Sequence, residues 1–251
     1  MKLKIITISL VVITVAIALF SVFHERNNLN IGLLEGQEKM FVQVEKIVTV
    51  TGKNVHFRYY SGYEDMKKDV LSGELDLYIA PLFEHIVNPQ NHLAVAAVQA
   101  DYILAGKYRK NPIPVGVSEP HIAKILIDNA KDLKNKKYSV LRVRDDEKIA
   151  YLDEEVIDFA VFRNRIPKIL EERGFSPIIK LSELGFTHDV LCVKKELLLR
   201  YDGLVEAIFL SSALNSHMLP SEAEIKNAIQ YLFKTGAITE RRRYTDYVHI
   251  R

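Results

Sequence analysis

The chain has 251 residues, 48% of them apolar and 26% charged, with 34 basic against 32 acidic side chains and a net charge of +2. That length suits one large or two small domains, and so even a balance argues against a nucleic-acid partner. Cys192 is the only cysteine, which excludes an intramolecular disulfide, and the absence of Trp excludes a sugar site built on indole rings.

Lys2 and Lys4 precede an uncharged run, Ile5 to Phe23, which ends at His24-Glu25-Arg26. As a helix it would be roughly 28 Å long, close to the thickness of a bilayer core. The flanking lysines would leave its N-terminal end in the cytoplasm and the rest of the chain outside. The expectation is a retained membrane anchor over residues 1–27. The alternative is a cleaved secretory signal, because Ala16-Ile17-Ala18 reads as a small-x-small site. No cysteine lies near the end of the run, so a lipid-modified N-terminus is not expected.

"NIGLL" from Asn30 reads as a buried strand. Met40, Phe41, Val44, Ile47 and Val48 then recur at helical spacing, with Gly52 as the stop. "NVHFRYY" is β-rich. Ser61 and Glu64 fit a capping box that opens a helix ending at Ser72-Gly73. "LDLYIA" is the next strand, so the first part reads β-α-β-α-β, the pattern of a parallel sheet with helices on its faces. "HLAVAAVQADYILAGKY" gives two strand-like runs broken at Gln99 to Asp101. The pattern then restarts with "IPVGV", a helix capped by Ser118 with Pro120 in its first turn and Ile122, Ile125 and Leu126 inward, and "YSVLRV". A short charged helix, "IDFAVF" and a helix from Asn164 to Arg173 closed by Gly174 follow, the last with Ile166, Ile169 and Leu170 inward. "SPIIKL" and "HDVLCV" are strands. One final helix is expected to bury Leu197, Tyr201, Leu204, Val205 and Ile208, and another Ile225, Ile229, Leu232 and Phe233. Asp76 and Asp158 each follow an aliphatic residue where a helix gives way to a strand. Both are expected to bond backbone at the joint rather than to catalyse.

Five stretches carry a resemblance: "LSGELDLYIAP", "IPVGVS", "EEVIDFAVFRNRIPKILEERG", "KLSELGFTHDVLCVKKELL" and "AIQYLFKTGAITERRRYTDYV". In their order and spacing the chain resembles the type II periplasmic solute-binding proteins, in particular the ABC-transporter binding proteins for nitrate, sulfonates, taurine and pyrimidine precursors. The likeness runs from Asn30 to about Val248. It implies an α/β fold of two lobes, each a mainly parallel sheet flanked by helices. Lobe 1 would comprise residues 28–100 and 187–251, and lobe 2 residues 101–186. Hinges are expected near Val98 to Leu104 and Leu184 to Asp189. It implies a small-molecule ligand, an ABC permease as partner, no cofactor and no enzymatic activity. The chain departs from the family in being short, and Glu119 beside Ser118 would repel an anion.

In this fold the cleft lies at the carboxyl ends of the strands. Those ends are Glu35-Gly36, Tyr60-Ser61 and Ala80-Pro81 in the first lobe, and Ser118, Arg144-Asp145 and Arg163-Asn164 in the second. The candidate ligand-binding residues are Glu35, Tyr60, Ser61, Ser118, Arg144 and Arg163. Ser61 and Ser118 each open a helix and could hold an anion, or could simply cap it. Arg163 could bind an oxyanion in bidentate fashion, or pair with a nearby acid on the surface. His85 and His92 read as scattered surface histidines. No HExxH, Cys-His cluster, GxGxxG, P-loop or GxSxG is present, so neither a metal nor a catalytic motif is expected. Two other readings stay open. An enzyme on the same fold would use Glu35 or His121, and an anchored sensor would have no transport role.

Overall fold

A computed structural model of the protein describes residues 27–41, 43–133, 135–186, 188–212 and 219–249. The run Ile5 to Phe23, on which the anchor rests, lies outside them. Among the described residues no helix is long and apolar enough to cross a membrane.

In chain order the first elements are β1 (Asn28–Leu34), α1 (Glu45–Thr51), β2 (Asn54–Tyr60), α2 (Tyr63–Leu71), β3 (Leu77–Pro81), α3 (Leu82–Val87) and β4 (His92–Gln99). Then come β5 (Tyr102–Gly106), β6 (Ile113–Val117), α4 (Pro120–Asn129), β7 (Tyr138–Arg142), α5 (Lys148–Asp153), β8 (Phe159–Arg163), α6 (Lys168–Glu172) and β9 (Ser176–Lys180). The last are β10 (His188–Lys194), α7 (Lys195–Arg200), α8 (Leu204–Ser211) and α9 (Glu222–Lys234).

The strands form two five-stranded sheets, ordered β2-β1-β3-β10-β4 and β7-β6-β8-β5-β9. In the first, β1 runs parallel to β2 and β3, while β10 is antiparallel to both β3 and β4. In the second, β6 runs parallel to β7 and β8, while β5 is antiparallel to both β8 and β9. Each sheet therefore has one reversed strand, and that strand is the one arriving from the other sheet. The chain crosses twice, between β4 and β5 and between β9 and β10. The two crossings are tied together, because Asp101 accepts the Ser182 N–H at 3.0 Å and its hydroxyl at 2.7 Å.

The recurring Asp joint has a common geometry in both sheets. The Asp76 N–H donates to the Asn30 carbonyl on β1, and the Asp158 N–H to the Pro114 carbonyl on β6. The Asp76 carbonyl accepts from Lys194 at the end of reversed β10, and that of Asp158 from Lys107 just past reversed β5. The Asp76 side chain adds a bond from the Asn30 N–H (2.9 Å), and the Asp158 side chain takes those of Arg109 and Lys110 (2.9 and 2.6 Å). The residue before each Asp drives into the centre of the neighbouring strand. A Cβ on Gly32 would stand 2.6 Å from Leu75 Cδ1, and one on Gly116 2.5 Å from Ile157 Cδ1. A Cβ at either position would push these side-chain tips aside, so the mid-strand glycines of "NIGLL" and "IPVGV" both make room for the residue before the joint Asp.

Strand alternation sorts the core. On β3, Leu77 and Ile79 face a layer with Leu29, Ile31 and helix α8, whereas Tyr78 and Ala80 face the opposite side. On β8, Ala160 and Phe162 meet Leu152 and Leu170 of α5 and α6, whereas Phe159 and Val161 face away from them. The inward faces of the two sheets share one core, which α4 and α9 complete through Ile122, Leu126, Ile225 and Ile229.

Several local expectations are corrected. The N-caps are Gly62 and Glu119, one residue beyond Ser61 and Ser118, and neither serine closes a capping bond. The helix expected from Asn164 is only Lys168–Glu172, because Asn164 is left-handed (φ 64°) and Pro167 is extended. Ile169 is consequently 44% exposed. The single helix expected over Leu197 to Ile208 is two, divided at Gly203 (φ 77°). Phe233 turns outward, with the Arg241 guanidinium 4.4 Å over its ring. His85 and His92 are buried, not on the surface. The Nε2 of His85 lies 3.0 Å from the Tyr247 carbonyl, and that of His92 3.0 Å from the Leu75 carbonyl. Burial lowers both rings to about 4, so they pack as neutral groups.

Candidate functional site

The carboxyl ends of β1, β2 and β8 open onto a cavity of about 610 Å³. The first sheet's side supplies Leu34, Glu35, Gly36 and Ser61. The second sheet's side supplies Asp145, Asp146 and the stretch from Phe162 to Arg165. A second cavity of about 300 Å³ adjoins it, lined by Gly62, Glu64, Ser118, Arg142 and Arg144 among others. The two sides touch at this boundary. A Cβ on Gly62 would sit 3.5 Å from Ser118 Cβ, and Arg142 Nη1 lies 3.5 Å from Glu64 Oε2.

Of the sequence candidates, Glu35, Ser61 and Arg163 line the larger cavity, and Ser118 and Arg144 the smaller. Tyr60 lines neither, since its hydroxyl turns to Asp69 at 2.5 Å. Its carbonyl accepts the Glu35 N–H at 2.9 Å and so fixes the loop that presents Glu35. The Ser61 hydroxyl donates to Asp65. Arg144 is exposed and pairs with Glu147 at 2.9 Å. His121 lines neither cavity and stands 3.9 Å from Glu84.

Arg163 is not a surface pair. Its Nε and Nη2 reach Asp189 Oδ2 at 3.0 and 2.5 Å, and the Tyr102 hydroxyl donates to the other oxygen at 2.8 Å. The Asp189 side chain is 0% exposed and that of Arg163 17%. The pair joins β8 of the second sheet to β10 of the first, beside the two crossings. The Asp189 charge holds the guanidinium protonated well above its ordinary range against the burial that opposes it.

A second polar cluster lies behind Ser118. Lys148 is 1% exposed, and its ammonium donates to the Ser118 hydroxyl (2.8 Å), the Val161 carbonyl (2.6 Å) and Asp145. The Ser118 Oγ also lies 2.5 Å from Glu119 Oε2 and 2.9 Å from Asp145 Oδ1. Burial pushes the Glu119 carboxyl well above the usual carboxylate range, with the Asp145 charge acting the same way against the pull of Lys148. The reading from sequence missed Lys148, Glu119, Asp189 and Glu84 as buried groups. For Lys148 the only signal was the Asp145–Lys148 spacing, which equally suits an exposed i,i+3 pair.

Among the described residues no group of three His, Cys, Asp or Glu side chains could hold a metal ion. The arrangement offers a cleft between two sheets, with carboxylates on both walls and an arginine whose charge is largely engaged.

No family model matches the chain, and no curated protein matches it in sequence. Solved structures do match in fold. One is the ligand-binding component of an ABC-type import system from Staphylococcus aureus, with zinc bound. It is 12% identical, with TM-score 0.62 over 89% of this chain and 96% of that one. A protein from Archaeoglobus fulgidus gives TM-score 0.59 at 10% identity, over 84% and 99% of the two chains. The alkanesulfonate-binding protein from Xanthomonas axonopodis, bound to MOPS, gives 0.53 at 11% identity, over 84% and 80%. The fold is therefore that of the type II periplasmic binding proteins: α/β, with two mainly parallel sheets flanked by helices.

Proposed function

We propose that this chain is an extracytoplasmic solute-binding protein that captures a small polar ligand between two lobes and presents it to an ABC permease. The lobes are residues 28–100 with 187–251, and residues 101–186, and the run Ile5 to Phe23 holds the protein at the membrane. The reading rests chiefly on the cavity of about 610 Å³, lined from both sides by strand ends, which falls in the size range of small-molecule pockets. Glu35, Ser61 and Arg163 contact the ligand on the larger cavity, with Ser118 and Arg144 at its neighbour and Tyr60 supporting the Glu35 loop. Two fold neighbours, the ligand-binding component of an import system and an alkanesulfonate-binding protein, point the same way.

Thermal denaturation against a panel of oxyanions, amino acids, amines and heterocycles tests this. A ligand at a hundredfold its dissociation constant adds about 2.7 kcal/mol to a native state that alone binds it. That corresponds to a rise of roughly 5–11 °C for a domain of this size. A flat panel at millimolar concentrations, together with native mass spectrometry showing no retained small molecule, would count against ligand capture and favour an anchored module without a transport role.

A further inference from the structure

Helices α2 and α3, which flank the first sheet, meet α4 of the second at a point behind both cavities. Glu84 of α3 is 0% exposed there. Neither of its carboxyl oxygens has a hydrogen-bond partner, and the buried Tyr63 hydroxyl beside it has none either. The His121 ring of α4 stands 3.9 Å from Glu84 Oε2, too far to bond. Lys67 and Glu64 of α2 and Glu119 at the start of α4 also face this carboxyl. The His121 backbone N–H acts on this carboxyl without closing a hydrogen bond. An ionised carboxylate enclosed with so little donation is costly, whereas a protonated one is a neutral group.

Glu119 independently points the same way. A serine hydroxyl has one proton to give and two lone pairs to accept with. Three side-chain contacts surround the Ser118 Oγ, from Glu119, Asp145 and Lys148. Lys148 fills one lone pair at 2.8 Å. Two carboxylate oxygens remain, at 2.5 and 2.9 Å, and one hydroxyl proton cannot serve both. A proton on one carboxyl resolves the conflict. It falls on Glu119, which is 3% exposed, because Asp145 is 39% exposed in its side chain and pairs with Lys148. Glu119 then donates to Ser118, Ser118 donates to Asp145, and every polar atom of the serine is satisfied. Asp189 and Tyr102 are the remaining ionisable groups close enough to act on Glu119.

We propose that Glu84 and Glu119 form a proton-binding site at the junction of the two units, and that its protonated form holds α2 and α3 against α4. The released protons go to solvent as pH rises, and the two carboxylates then repel each other across the junction. Burial, opposed by Lys67 and the His121 backbone N–H and reinforced by Glu119 and Glu64, carries Glu84 from an ordinary 4.5 to about 8. The folded protein thus keeps a proton that the unfolded chain has lost between those values. Stability falls as pH rises through that interval and levels off above it. His85 and His92 act in the opposite sense below 6.5, where the unfolded chain protonates them and the folded one does not. The informative window is therefore from about pH 7 to about pH 9.

The experiment needs no ligand, so its outcome is independent of solute capture. Melting temperature and small-angle scattering are followed across that window for the wild type, Glu84→Gln, Glu119→Gln and the double variant. Glutamine mimics the size and neutrality of the protonated acid. The expected result is a melting temperature that declines with pH and a radius of gyration that grows in the wild type, with both trends lost in the double variant. A double variant that retains the wild-type profiles would overturn the proposal. Should the variants fail to fold, infrared difference spectra of the wild type decide. A carboxylic-acid carbonyl band present at the lower pH and absent at the higher supports the site, and no such band at either pH rules it out.

Discussion

Replacing Asp189 by asparagine tests the tie between the two sheets. The wild-type carboxylate receives two bonds from Arg163, at 3.0 and 2.5 Å, and one from Tyr102 at 2.8 Å. Two unit charges about 2.8 Å apart attract by roughly 6 kcal/mol at an effective dielectric constant near 20, before the cost of taking both out of water. The measurable quantity is the penalty for leaving one partner alone, about 3–5 kcal/mol for a buried pair. Asp189→Asn leaves the Arg163 charge, but that side chain is 17% exposed at the cavity and water can reach it. A loss near 3 kcal/mol is expected. Arg163→Met instead strands a carboxylate that is 0% exposed, with Tyr102 as its only remaining side-chain donor among the described residues, and a loss nearer 5 kcal/mol is expected. Against a total stability of about 5–15 kcal/mol, Asp189→Asn should still fold, and Arg163→Met should fold if the wild type lies above the low end of that range. Urea unfolding followed by far-ultraviolet circular dichroism gives the free energies by linear extrapolation. The double variant should be more stable than the sum of the two losses allows, by about 2 kcal/mol or more. Single losses below about 1 kcal/mol, the range of exposed ion pairs, or strict additivity would refute the reasoning.

Gly106→Ala should destabilise by about 1–3 kcal/mol, because the new Cβ would lie 2.3 Å from the Asp158 carbonyl and 2.6 Å from Phe159 Cδ1. A melting temperature unchanged from wild type would show that β5 and β8 can separate there at no cost. Cys192 is 0% exposed between Tyr78 and His85, and burial pushes its thiol up, so a thiol reagent should label it only in denaturant. Rapid labelling under native conditions would show that the core beside β10 opens.

Much of the architecture was legible in local pattern. The apolar runs in "LDLYIA" and "IDFAVF" mark β3 and β8, each preceded by the joint Asp whose side chain bonds backbone. Of the strand ends named from the resembled fold, Glu35-Gly36, Ser61, Asp145 and Arg163-Asn164 line the larger cavity, Ser118 and Arg144 the smaller, and Tyr60 and Ala80-Pro81 neither. Helix starts were less legible. Ser61 and Ser118 have the residue type of a cap, but the chain turns one residue later. Their hydroxyls then find carboxylates, Asp65 for the first and Glu119 and Asp145 for the second.

The sequence by itself determined the alternation of strand and helix, the two repeated α/β units and the glycines each needs, because these depend on neighbours within a few residues. Only the tertiary structure decided which charges are buried and with whom. Asp189 reads as the opening of a strand until β10 returns to lie between β3 and β4 and presents it to Arg163 on the other sheet. Lys148 reads as one cation of a charged helix until α5 packs that face against β8 and encloses its ammonium. Glu84 lies in a stretch to which local pattern assigned no element, until α3 forms there and α2 and α4 close over it. Periodicity sets which face of an element is apolar. The partner of a buried charge depends on where distant segments of the chain come back, and desolvation makes that partner decide whether the group stays charged.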